Sequence, residues 1–120
     1  MKARRLELKD LGDGWKYKDM IGLIVGAPEV QEQTGQRFPM NYAEVVRRGN
    51  LIDDLESADG VLLMDEAKYE LLSRLTKSFN WSAFSASGIL NKKALDNIRA
   101  FVTELENVEL TEVEAKVGTN

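Results

Sequence analysis

The chain has 120 residues and a formal charge of −4, and it contains neither cysteine nor histidine. Thiolate nucleophiles, disulfides, Cys/His zinc sites and histidine acid–base catalysis therefore have no residues to carry them. The hydrophobic fraction of 43% and the charged fraction of 30% are ordinary for a globular protein. This length predicts one domain with its own core, because domains most often have about 100–150 residues.

Neither a membrane nor a nucleic acid is indicated as a partner. The longest purely apolar run, residues 20–27, has eight residues, whereas a membrane-spanning helix needs about 20. Charged residues interrupt the N-terminal segment before an apolar signal region can form, so we expect a cytoplasmic protein. The basic pairs Arg4/Arg5, Arg47/Arg48 and Lys92/Lys93 are scattered. We interpret each pair as a solvated surface and disfavour phosphate binding.

The N-terminal third predicts a strand, a turn and a short helix. Leucines at alternate positions predict a half-buried strand over residues 4–9. A Gly-Asp-Gly turn follows at residues 12–14, after which the chain either continues as a hairpin strand or enters a helix. Apolar spacing favours a helix over residues 17–26. Residues 28–40 hold both prolines and predict a long loop.

A second helix is predicted to begin at Asn41, because Glu44 follows three residues later and completes the pattern of a capping box. We expect Gly49 either to admit another backbone or to split this helix. Residues 61–64 are a short apolar run between turn residues and predict a strand that pairs with residues 4–9. The apolar positions of the helix that begins at Asn41 share one face, which we interpret as its core face: Tyr42, Val45, Val46, Gly49, Ile52 and Leu55.

The C-terminal half predicts two further helices. Asp65 is placed to cap a helix that spans about residues 66–79. The next helix starts near Asn91 and continues to about residue 106. Acidic and apolar residues alternate in residues 107–120, which leaves an edge strand, a continued helix and a partner-dependent segment all open.

Together these elements predict an α+β fold that is mainly α. About four helices surround one core, with a short two-stranded β pairing of residues 4–9 and 61–64. We assign a single globular domain to residues 1–106. Residues 107–120 form an acidic C-terminal tail that we expect to be partly disordered or used for docking.

No arrangement of residues indicates catalysis, a metal or a cofactor. The acidic residues between 53 and 60 lack the alternating ligand spacing of a calcium loop. Ser82, Ser85 and Ser87 have no histidine to activate them, and no Ser-x-x-Lys pair is present. We therefore expect a protein that is not an enzyme and that binds neither metal nor cofactor.

Aromatic residues outside the periodic elements are the main candidates for contacts with a partner. Exposed rings often form the hot spots of interfaces, and the alternative is that they fill gaps between helices. The apolar residues of the acidic tail are added because they suit either docking or an edge strand. The candidate partner-binding residues are Trp15, Tyr17, Phe38, Trp81, Phe84, Val108 and Leu110.

Three segments resemble small proteins encoded by tailed bacteriophages and prophages. They are Tyr17-Lys-Asp-Met-Ile-Gly-Leu-Ile-Val, then Asn41-Tyr-Ala-Glu-Val-Val-Arg-Arg with Leu51-Ile-Asp-Asp-Leu-Glu, then Val61-Leu-Leu-Met-Asp-Glu-Ala-Lys-Tyr-Glu-Leu-Leu. In such proteins an early helix precedes an Arg-bearing helix, a short apolar strand and a helix that starts with Asp-Glu. The similarity covers roughly residues 15–81 and follows helix faces, so it transfers no functional residue.

Two functions remain as hypotheses. The resemblance implies a phage- or prophage-encoded protein that binds other proteins in virion assembly or an accessory role, with self-association as one form of contact. It places the protein in the bacterial host cytoplasm or in association with the virion. The alternative is an acidic inhibitor or regulator that binds a host nucleic-acid-processing protein through carboxylates of residues 53–59 and of the tail.

Overall fold

The computed structural model describes residues 2–27, 34, 36, 39–85 and 87–112. Within them it contains four α-helices, one 3-10 helix and three strands, so a mainly helical α+β fold is confirmed. The elements in chain order are β1 (Lys2–Glu7), α1 (Tyr17–Gly26), α2 (Tyr42–Ser57), β2 (Val61–Met64), α3 (Glu66–Ser78), the 3-10 helix (Trp81–Phe84), α4 (Lys92–Glu106) and β3 (Leu110–Glu112).

The sheet is antiparallel, with strand order β2-β1-β3. Leu6 lies opposite Leu62, which confirms the predicted pairing of the first strand with residues 61–64. On the other edge of β1, Ala3 lies opposite Thr111, so β3 adds a third strand. The described end of the predicted tail is thus an edge strand of this sheet, while residues 113–120 lie outside the described residues.

The turn before α1 combines the two predicted alternatives. Asp10 and Lys16 form a single antiparallel bridge, and the helix begins at the next residue. Within the turn the backbone φ is +87° at Gly12, +53° at Asp13 and +85° at Gly14. Glycine adopts such angles without steric cost, and aspartate tolerates them better than most residues. The predicted bounds of α1 are confirmed at both ends.

The face that helix α2 turns to the core overlaps the predicted face only in its C-terminal half, where Leu55 is buried and Ile52 packs against the core. Its buried residues are Arg48, Leu51 and Leu55. The helix passes through Gly49 without a break, and a Cβ atom there meets nothing within 4 Å. Four residues of the predicted core face are exposed instead: Tyr42, Val45, Val46 and Gly49.

Arg48 accounts for this orientation. Its Nη1 donates to the carbonyl oxygens of Val25, at 3.2 Å, and of Ala27, which lie at the C-terminal end of α1. Carbonyls at a helix end have no partner within the helix and carry negative partial charge, so a guanidinium is well placed there. Glu44 accepts from Arg48 at 3.1 Å and from Arg74 at 2.7 Å. The interpretation of Arg48 as solvated is therefore wrong: it is a buried, well-bonded cation.

One apolar core lies between the sheet and the helices. It takes residues from β1, β2 and all four α-helices, and half-buried aromatic residues of the segment between α3 and α4 pack against it. The predicted loop over residues 28–40 falls largely outside the described residues. The largest fully buried side chains include Tyr17, Met20, Ile21, Ile24, Leu51, Met64, Leu72 and Phe101.

Candidate protein-interaction surface

Aromatic rings from four parts of the chain meet in one cluster. The ring centroids of Trp15 and Phe84 are 5.3 Å apart, and those of Phe84 and Trp81 are 5.6 Å apart. Trp81 reaches Phe101 at 6.3 Å, and Phe101 lies 5.0 Å from Tyr17 in an edge-to-face contact. These separations lie within the range favoured by aromatic pairs. Four of the predicted partner-binding residues, Trp15, Tyr17, Trp81 and Phe84, are thus brought together.

The segment after α3 positions two of these rings. Asn80 caps the 3-10 helix: its Oδ1 accepts from the Ser82 amide at 3.2 Å and from the Ser82 hydroxyl at 2.6 Å. Residues three apart lie above one another in a 3-10 helix. Trp81 and Phe84 therefore project from the same side and stack with an interplanar angle of 23°.

Tyr17 is a core residue and not the surface contact predicted from the sequence, since only 1% of it is exposed. Its hydroxyl donates to Glu104, which also accepts from Lys9. Burial raises the pKa of Glu104, but the hydrogen bonds from Lys9 and Tyr17 and the charge of Lys9 outweigh burial, so that pKa is lowered. Burial and the bond to Glu104 together raise the pKa of Tyr17.

An open cavity of about 230 Å³ lies at the outer edge of the aromatic cluster. Trp15 and Phe84 form one side of it, and Ile89, Leu90 and Ala94 line the rest together with polar residues. Ile89 is 78% exposed although it borders this apolar wall. We call Trp15, Phe84, Ile89 and Leu90 the Ile89 surface.

Charged residues border the Ile89 surface. Lys93 donates to Asp13 at the mouth of the cavity, and this hydrogen bond, with the charge of Lys93, lowers the pKa of Asp13. In the same helical turn as Lys93, Lys92 pairs with Asp96 at 2.9 Å. The cavity therefore has a mixed polar and apolar lining, and protein–protein interfaces commonly combine the two.

The remaining predicted residues do not join the aromatic cluster. Val108 is half-buried against the core, and its carbonyl oxygen accepts from Arg4 at 2.7 Å. Leu110 is exposed in the edge strand β3. Phe38 lies outside the described residues.

Sequence reasoning missed Ile89, which is the most exposed apolar residue of the Ile89 surface. Its position in a Ser/Gly-rich connection gave it no periodic pattern. The available signal was a β-branched apolar residue directly after Gly88, whose φ of +77° ends the preceding turn. Such an isolated residue is indistinguishable by pattern from one that folds back onto the core.

The described residues offer little for other kinds of site. No group of three or more acidic side chains among them is arranged to hold a metal ion. No helix in the described part of the chain is both long and apolar enough to cross a membrane.

Comparisons with known proteins give no relative. No protein-family model matches the chain, and neither a curated protein nor a solved structure matches it.

Proposed function

We propose that this chain is a phage- or prophage-encoded protein that works by binding another protein, in virion assembly or an accessory role. The observation that carries the binding function is the Ile89 surface, where a 78% exposed isoleucine stands beside a cavity walled by Trp15 and Phe84. The phage origin is supported by the sequence resemblance over residues 15–81.

The size and composition of the cavity favour a protein side chain as its occupant. Small-molecule pockets usually measure about 300–1,000 Å³, and this cavity is smaller, at about 230 Å³. Tryptophan and phenylalanine rings supply large apolar contact area at low cost in conformational entropy, which suits an interface anchor. An apolar side chain of a partner inserted between Ile89 and Trp15 removes both from water.

Affinity capture from lysate of the cells that carry the gene tests the proposal. The bait is the full chain or its Ile89→Asp variant. The matched control is Thr103→Asp, which adds the same charge at an exposed position of α4. A virion protein captured by the wild type and the control but lost with Ile89→Asp supports the proposal. Equal capture by all three baits shows that the Ile89 surface does not take part in binding the captured protein.

Self-association is tested separately by size-exclusion chromatography with light scattering. An oligomer of ring size that dissociates in the Ile89→Asp variant makes a second copy of the chain the partner. A strict monomer that captures a host nuclease or polymerase contradicts the assembly role.

One observation favours the acidic regulator as a second candidate. The carboxylates of Asp53 and Glu56 are exposed, and neither forms an ion pair with another described residue. Exposed carboxylates attract the basic nucleic-acid-binding surface of a host protein. Capture of a nucleic-acid-processing enzyme that is abolished by an Asp53→Asn/Glu56→Gln double variant supports this candidate. Capture that survives the double variant contradicts it.

A further inference from the structure

A second surface lies on α2, on the side away from the core. Tyr42 is 80% exposed, Val45 46% and Val46 40%. Residues three, four and seven positions apart share one side of an α-helix. The same side continues through one exposed glycine and two exposed carboxylates. We call the whole set the outer face of α2: Tyr42, Val45, Val46, Gly49, Asp53 and Glu56.

Among the described residues, the hydrophobic core does not include these apolar side chains. Arg48, Leu51 and Leu55 already fill the inward side of α2 and hold it against the core. Single exposed apolar residues are common, but three within two adjacent turns form a contiguous patch. A contiguous apolar patch on a soluble protein typically marks a contact with another molecule.

Gly49 lies at the middle of this outer face. A glycine inside a helix destabilises it relative to alanine, because its backbone loses more freedom on folding. Here the space above the backbone is open, since a Cβ atom at Gly49 meets no atom within 4 Å. A partner backbone can therefore approach α2 closely at this point, as small residues allow where helices cross.

Both charged side chains of the outer face are acidic, and the one lysine that reaches this part of α2 in the described structure, Lys18, donates to the backbone carbonyl oxygen of Glu56 at 3.4 Å and not to either carboxylate. Asp53 and Glu56 are both exposed, and neither makes an ion pair with a described residue. Their neighbour Asp54 points to the other side and pairs with Lys68 of α3. The outer face thus has an apolar N-terminal half and an acidic C-terminal half.

We propose that the outer face of α2 docks a basic amphipathic helix of a partner protein. Apolar side chains of the partner pack on Tyr42, Val45 and Val46, and its lysines or arginines pair with Asp53 and Glu56. This surface is distinct from the Ile89 surface, and the proposal stands whether or not the Ile89 surface binds anything.

A second copy of the chain fits this face poorly. The outer face carries no lysine or arginine. Antiparallel pairing of two copies sets the apolar half of one against Asp53 and Glu56 of the other. Parallel pairing sets like charges opposite one another, which is unfavourable. Charge complementarity therefore selects a cationic partner.

Titration with designed peptides tests the proposal. The probe is an 18-residue helical peptide whose leucines are spaced three, four and seven positions apart and whose lysines lie on the following turn. A second peptide has glutamates in place of the lysines. We expect saturable binding of the lysine peptide, with a dissociation constant on the order of tens of micromolar for so small a contact. Amide chemical-shift changes should concentrate in residues 42–56.

Variants separate the apolar contribution from the charged one. Val45→Asp should weaken binding at least tenfold without lowering the melting temperature, because Val45 is exposed. Asp53→Asn/Glu56→Gln should weaken binding about fivefold and flatten its salt dependence. The matched control, Glu106→Gln/Glu109→Gln, removes the same charge from exposed positions in another part of the chain and should leave the affinity within twofold.

Four results of the peptide titrations would overturn the proposal. They are absence of saturable binding, equal affinity for the glutamate peptide, unchanged affinity in Val45→Asp, and equal weakening by the control variant. A dimer in sedimentation experiments that Val45→Asp dissociates also overturns it, because a second copy then covers the face.

Discussion

The guanidinium carbon of Arg4 lies 4.4 Å from the centroid of the Tyr69 ring, in a cation–π contact that joins β1 to α3. Its Nε and Nη2 donate to the two carboxylate oxygens of Glu66, at 3.2 and 2.9 Å. Its Nη1 donates to the carbonyl oxygen of Val108 at 2.7 Å. The Tyr69 hydroxyl in turn donates to the carbonyl oxygen of Leu105 at 2.7 Å. Arg4 and Tyr69 therefore tie the central strand, α3 and the segment before β3 together.

Replacing Arg4 by lysine should lower the melting temperature by several degrees, because an ammonium group cannot reproduce a planar fork that binds a carboxylate and stacks on a ring. Arg4→Ala should lower it further, and Arg5→Lys, on the exposed neighbour, serves as the control. Thermal unfolding followed by circular dichroism measures the difference. A melting temperature of Arg4→Lys equal to the wild type contradicts the arrangement.

Replacing Tyr17 by phenylalanine should cost about 1–3 kcal/mol of unfolding free energy at neutral pH, since a hydrogen bond to a carboxylate is lost inside the core. The ring contact with Phe101 is retained. Burial, and then the bond to Glu104, raises the pKa of Tyr17 above its ordinary value of 10.0. Its stabilising effect is thus fully present below pH 10 and is lost as the pH rises further.

Urea unfolding between pH 7 and 11 measures this effect. The wild type should lose stability more steeply above pH 10 than Tyr17→Phe does. Parallel curves for the two proteins over this range argue against the bond between Tyr17 and Glu104.

Acid should weaken the fold partly through Glu104. Its pKa lies below the ordinary value of 4.5, so its contribution is present above about pH 4.5 and is lost as the pH falls through the lowered pKa. Glu104→Gln should reduce the slope of stability against pH between about 5 and 3. Glu106→Gln, an exposed position of the same helix, is the matched control and should leave that slope unchanged. Equal slopes in all three proteins contradict the assignment.

The cap of α4 provides a prediction about local stability. Oδ1 of Asn91 accepts from the Ala94 amide at 2.8 Å. Asn91→Ala should cost about 1 kcal/mol. Asn91→Asp should be at least as stable as the wild type, because a negative charge there faces the helix N-terminus and the adjacent Lys92 and Lys93. Denaturant unfolding at neutral pH distinguishes them, and an Asn91→Ala variant as stable as the wild type counts against the cap.

Truncation after Val108 removes β3 and tests where the domain ends. Ala3 is buried and lies opposite Thr111 of β3 in the sheet. Loss of β3 should therefore expose Ala3 and lower the melting temperature. A truncation after Glu112, which keeps β3, is the control. If both truncated chains melt at the temperature of the full chain, the domain is confined to residues 1–106 as the composition suggested.

Local rules predicted the helix starts well. Residue type and position alone predict Asn41 and Asp65 as caps, and the side chain of each accepts from the amide three residues on, at 2.9 and 2.8 Å. Such caps depend on a few neighbouring atoms, so sequence suffices to find them. The reciprocal half of the capping box is different, because the Glu44 carboxylate binds Arg48 and Arg74. The distant Arg74 is invisible to a local pattern.

The orientation of α2 could not be read from hydrophobicity. A hydrophobicity pattern that counts arginine as polar predicts Arg48 on the outer side of the helix and Val45 on the inner side. In the structure Arg48 is buried, because it donates hydrogen bonds to carbonyl oxygens at the end of α1. Sequence did not identify Ile89 as a candidate contact for a related reason, since a single apolar residue in an irregular segment shows no hydrophobic periodicity. In both cases the decisive partners are distant in sequence.

The position of β1 in the sheet has a consequence for biosynthesis. This strand is translated before β2 and β3, yet it lies between them in the sheet. Contacts between distant segments form slowly, because a long stretch of chain must be ordered to make them. On the ribosome, β1 therefore emerges with both edges exposed, and the sheet closes only once residue 112 has left the exit tunnel.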